Sequence, residues 1–124
     1  MILGLDISTS IIGATIVSDN GDVVATHAWD MRNKNHFPDV YTKYNHVQGE
    51  LLDLLTSHKF SHIFIEQSLQ MFRSGFSSAK TLSTLSSFNG VVTYLCFREL
   101  GIKPEHISAS SARKSCGIKI AKGT

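Results

Sequence analysis

The sequence predicts an α/β domain in which a three-stranded antiparallel meander leads into α/β alternation, giving a mixed β-sheet flanked by helices. Three observations carry that expectation. Residues 1–30 hold three apolar or β-branched runs, at 2–6, 11–18 and 23–29, and Asn20-Gly21, a strong hairpin signal, lies between the last two. Val40, Tyr44, Val47, Leu51 and Leu54 recur at alternating steps of four and three, which is one apolar face of a helix. After them the short apolar run Ile63-Phe64-Ile65 reads as a further buried strand.

Each element has a local reason. Residues 31–38 are polar and read as loop. Asp39 follows Pro38 and suits the N-cap of the helix, which is expected to end near Ser57. Residues 67–75 read as loop. Ser77 or Ser78 suits the cap of a second helix running to about Leu100, with Gly101 as its stop. Asn89-Gly90 inside that span would alone signal a hairpin. Its flanks lack strict alternation, so the helix is expected to run through it. The glycine then costs about 1 kcal/mol against alanine, which a close helix or backbone contact would offset. Residues 104–109 are expected to form a fifth strand, and Ser110 or Ser111 to cap a third helix carrying Arg113 and Lys114.

The chain has 124 residues, which suits one domain with a real core. It is 42% hydrophobic and 18% charged, the balance of an ordinary globular protein. The formal charge of +2 is unevenly spread. After Glu66 the only acids are Glu99 and Glu105, against Arg73, Lys80, Arg98, Lys103, Arg113, Lys114, Lys119 and Lys122. The two cysteines, Cys96 and Cys116, lack metal-ligand spacing and read as reduced thiols, one of them in the core. His58 and His62 are four apart but straddle a helix end and a strand start, which argues against a zinc pair. Tyr41 and Tyr44 read as helix-face packing. The first apolar run contains Asp6 and has no basic leader, and no run is long enough to span a membrane. A cytoplasmic location is the resulting expectation.

Asp6 and Glu66 are the residues of greatest chemical interest. Each ends an apolar strand-like run, where a buried carboxylate is costly unless its charge is compensated. Strands that neighbour one another in a sheet lie roughly 4.8 Å apart, close enough for two carboxylates to share one divalent ion. Mg²⁺ favours such oxygen ligands. Without a cation the two acids repel.

Two stretches resemble a known family. Ile2-Leu3-Gly4-Leu5-Asp6-Ile7-Ser8-Thr9-Ser10 with Gly13, and Phe64-Ile65-Glu66-Gln67, are similar to segments of the RuvC family of Holliday-junction resolvases. The resemblance runs from Met1 to about Lys122 and implies an RNase H-like fold. It implies catalytic, metal-binding roles for Asp6 and Glu66, with Mg²⁺ or its substitute Mn²⁺, two ions in a complete site. It implies endonucleolytic hydrolysis of branched DNA by a homodimer. The family adds two acids from a C-terminal helix, whereas this sequence has none after Glu105. The single domain over 1–124 is therefore expected to be C-terminally incomplete and weakly active or inactive. Leu69 stands where the family places an aromatic, and the nearest aromatic is Phe72, which either stacks on DNA or packs in its loop. Expected DNA contacts are Ser8, Phe72, Arg73, Lys80, Arg113, Lys114, Lys119 and Lys122, although Ser8 taken alone suits plain turn formation better.

Two rival readings remain. Asp6-Ile7-Ser8-Thr9-Ser10 followed by a hairpin can pass for the phosphate turn of a sugar-kinase or actin-like ATPase lobe, although Ser8 stands where those proteins usually have glycine. A resolvase-like domain lacking the later acids can instead bind branched DNA, or a protein partner, without cutting. The small residues Ser83, Ser86, Ser87 and Gly90 on the second helix would suit packing against another subunit.

Overall fold

A computed structural model describes residues 1–67 and 79–108. Its elements follow the order β1 (Ile2–Asp6), β2 (Ile11–Val17), β3 (Val23–Asp30), α1 (Val40–Ser57), β4 (His62–Gln67), α2 (Ala79–Leu100) and β5 (Glu105–Ser108). One five-stranded sheet holds all these strands in the order β3-β2-β1-β4-β5. The first three strands pair antiparallel, and β4 joins β1 in parallel, as β5 joins β4. This is the mixed α/β sheet that the sequence predicts.

The β2–β3 turn shows why a glycine is needed at its end. Ser18 N–H donates to the Asp22 carbonyl at 2.8 Å and Gly21 N–H to the Ser18 carbonyl at 2.9 Å. Closing both bonds puts Gly21 at φ 91°, a region that side chains rarely tolerate. Helix α1 begins where Asp39 Oδ1 accepts the Thr42 N–H at 2.9 Å, which satisfies one of the free amides of the first turn. Helix α2 passes through Asn89-Gly90 and stops at Gly101, which has φ 72° and donates its N–H to the Phe97 carbonyl at 2.8 Å. The close contact expected at Gly90 is not there among the described residues: beyond its own helical turn, none of their atoms lies within 4 Å of where its Cβ would be. Gly90 faces outward while the next turn of the same helix buries Val92, Leu95 and Cys96.

Strand alternation sorts the sheet into two faces. Leu3 and Leu5, Ile12, Ala14 and Ile16, Trp29, and Ile63 and Ile65 are buried in one cluster with Val47, Leu51 and Leu54 of α1 and Phe88, Val92, Leu95 and Cys96 of α2. Both described helices therefore cover the same face. Tyr44 stacks on Phe88 with ring centroids 5.4 Å apart, as its place in the helical stripe requires. Tyr41 departs from expectation, because it lies off the stripe and stays exposed. Cys96 is in the core, as expected for one thiol. Cys116, Ser77 and Ser78, and the third helix lie outside the described residues. No helix among the described residues is long and apolar enough to cross a membrane.

Candidate functional site

Since Leu3 and Leu5 point into the helices, alternation turns Asp6 to the other face, and the same holds for Glu66 after Ile63 and Ile65. The register then sets them side by side, with Asp6 paired to Glu66 on the last rung of the parallel β1–β4 ladder. On its other side Asp6 pairs with Gly13, which in turn pairs with Ala28. Small residues thus border the carboxylate toward β2 and β3, and a Cβ on Gly13 would meet that of Asp6 at 3.8 Å. Asp6 is exposed, and Glu66 is half-buried with partners of its own. Among the described residues no third histidine, cysteine or acid joins this pair.

The site edge is set by topology. Strands β1, β3 and β4 run the same way, so the C-terminal ends of all three meet there. Both helices return from that edge, which brings their N-termini, the positive ends of their dipoles, to it. In open α/β sheets this C-terminal edge is the usual place for ligands.

The turn between β1 and β2 is tightly held. Ser8 Oγ donates to the Ile11 carbonyl at 2.6 Å and accepts the Ile11 N–H at 3.0 Å and the Ser10 N–H at 3.3 Å. The hydroxyl named as a DNA contact is thus engaged inside its own turn. Just past the end of β3, Met31 N–H donates to the Ser10 carbonyl at 2.8 Å. From α1, Lys43 Nζ donates to the Thr9 carbonyl at 2.6 Å. Lys80 is exposed in the first turn of α2, at the same edge. Phe72, Arg73, Arg113, Lys114, Lys119 and Lys122 lie outside the described residues.

Two cations at this edge escaped the sequence reading. Arg32 follows β3 and grips Asp30 through Nε–Oδ1 at 2.9 Å and Nη2–Oδ2 at 2.7 Å. The Arg32 hydrogen bonds hold the Asp30 carboxyl down to about 2, and Asp30 in turn pushes the Arg32 guanidinium higher. Lys43 belongs to the less basic half of the chain. Its signal was positional: it lies just beyond a capped helix start that returns to the Asp6 edge.

No family model and no curated protein matches the sequence. Among solved structures, the chain is similar to T. thermophilus RuvC in complex with a Holliday junction substrate. The TM-score is 0.71 at 10% sequence identity, over 92% of this chain and 68% of that one. Identity this low establishes the shared architecture and no more: the domain has the RuvC-type, RNase H-like α/β fold.

Proposed function

We propose that this chain is the core of a metal-dependent endonuclease of the RuvC resolvase type, acting on branched DNA as a homodimer. The observation that carries the reading is the register of Asp6 against Glu66 at the C-terminal edge of adjacent parallel strands. Two carboxylates so placed fit a hard divalent cation such as Mg²⁺ or Mn²⁺, which accepts oxygen ligands and keeps several waters. Asp6 and Glu66 would hold such a cation, and in a complete two-ion site the metal would supply a nucleophilic water and stabilise the leaving oxygen of phosphodiester hydrolysis. The chain's own part is to hold the two carboxylates at one spacing and to leave the Gly13 and Ala28 side open for a sugar–phosphate strand. Lys80, with Arg73, Arg113, Lys114, Lys119 and Lys122, supplies cations for phosphate contacts, whose affinity falls with salt. The likeness to a structure bound to a Holliday junction supports branched DNA as the ligand class.

The ATPase-lobe reading is weaker on one specific point. A phosphate-binding turn offers free backbone amides. Here the Ser10 and Ile11 amides are already given to Ser8 Oγ. The non-cutting reading keeps the DNA contacts and drops the metal chemistry. A labelled four-way junction and a matched linear duplex separate the two. The nuclease reading expects preferred junction binding and slow nicking that needs Mn²⁺ or Mg²⁺ and vanishes in Asp6→Asn. Metal-independent junction binding with no nicking, unaffected by Asp6→Asn, makes the chain a DNA-binding domain.

A further inference from the structure

Lys43 sits where a helix least favours it. It is the fourth residue after the Asp39 cap, near the positive end of the α1 dipole, and the first turn has no acid to offset it. Its side chain is half-buried, and it forms no ion pair among the described residues. A partly desolvated ammonium needs a good acceptor, and Lys43 has one in the Thr9 carbonyl at 2.6 Å. Thr9 lies three residues beyond Asp6, in the turn that Ser8 closes from within and Met31 holds from just past the end of β3. Ile7, at the start of the turn, is buried in the core with the helices, and Lys43 adds a polar tie from α1 to the turn's Thr9 carbonyl.

We propose that Lys43 is a positioning residue for the carboxylate pair. It fixes the β1–β2 turn against the start of α1, and so fixes the backbone from which Asp6 presents its carboxylate. A metal or catalytic constellation tolerates misplacement of well under 1 Å, which makes such a tether consequential. The inference rests on the metal-site reading above, and its test separates the two.

The test compares wild type, Lys43→Met, Lys43→Arg and Asp6→Asn in the full 124-residue chain. Met keeps the apolar stem and the helix propensity but has no donor, whereas Arg keeps a donor. Two quantities are read: Mn²⁺ affinity by calorimetric titration, and amide hydrogen exchange at Ile11 and Met31. Lys43→Met is expected to weaken Mn²⁺ binding about tenfold, the lower end of what loss of a supporting contact costs a metal site. It should also speed exchange at Ile11 and Met31 while Leu5 and Ile65 stay protected. Lys43→Arg should restore both. Unchanged exchange in Lys43→Met overturns the tether. Faster exchange with Mn²⁺ affinity retained overturns the positioning role. If Asp6→Asn binds Mn²⁺ like wild type, or wild type binds none, the carboxylate reading itself has failed and the inference falls with it.

Discussion

Asp6 and Glu66 are paired residues of neighbouring parallel strands, on the face of the sheet turned away from both described helices. Like charges directly across a sheet are destabilising by a few tenths to about 1 kcal/mol. Asp6→Asn should therefore raise the melting temperature of the metal-free chain slightly in EDTA. Mg²⁺ should raise it in wild type, because a ligand that binds only the folded state stabilises that state. The Asp6→Asn variant should lose that response, as differential scanning fluorimetry with and without Mg²⁺ would show.

Gly90 occupies an α2 position where a methyl group meets open space. Gly90→Ala should stabilise the chain by about 1 kcal/mol, the usual gain for an unstrained helical site. Gly49 in α1 is equally open and serves as the internal comparison. Urea unfolding of the two variants at low protein concentration checks this. A gain at Gly49→Ala with a loss at Gly90→Ala would mean that another surface packs against α2 at Gly90.

Cys96 is a core thiol whose burial pushes its pKa up to about 12 from an ordinary 9.0. The neutral thiol is the form the fold accommodates, so stability is unaffected below pH 9.0 and falls as pH rises from there toward about 12. In a Cys116→Ser background, Cys96 should react with Ellman's reagent at about pH 8, below its ordinary range, only as fast as the chain opens. Prompt reaction without denaturant would contradict its burial.

Asp30 and Arg32 give the acid-side counterpart. The folded Asp30 carboxyl titrates at about 2, below the ordinary 3.8, so its contribution is present above 3.8 and is lost as pH falls toward about 2. The pair is exposed, so the contribution is small. Arg32→Ala should move the Asp30 midpoint up toward 3.8, as carboxyl-carbon NMR titration would read.

Much of the fold was legible because its signals are local. The β-branched runs, the Asn20-Gly21 turn, the Asp39 cap and the Val40-to-Leu54 stripe each specify an element without reference to the rest of the chain. The helix through Asn89-Gly90 was legible because its flanks lack the strict alternation that a hairpin requires. The buried face of that segment then engages β5, where Asn89 Oδ1 and Thr93 Oγ1 lie 3.2 and 3.1 Å from His106 Nε2. That cluster joins residues distant in sequence, and no local pattern announces it. Asp6 and Glu66 were legible as candidates because each acid ends an apolar run, although the burial cost expected there does not fall on Asp6, which alternation turns outward and leaves exposed. Their shared rung was not, because register between strands separated by a helix depends on how the whole sheet packs. Lys43 was missed because a lysine near a helix start reads as a solvated charge until the turn it reaches is known.

The most direct measurement is a Mn²⁺ titration of the wild-type chain beside Asp6→Asn and Glu66→Gln, each checked for folding by circular dichroism. If the two carboxylates form a metal site, wild type binds Mn²⁺ and each single substitution removes most of that binding while the fold stays intact. Binding that survives in both variants, or no binding in wild type, would contradict the metal site on which the nuclease reading depends.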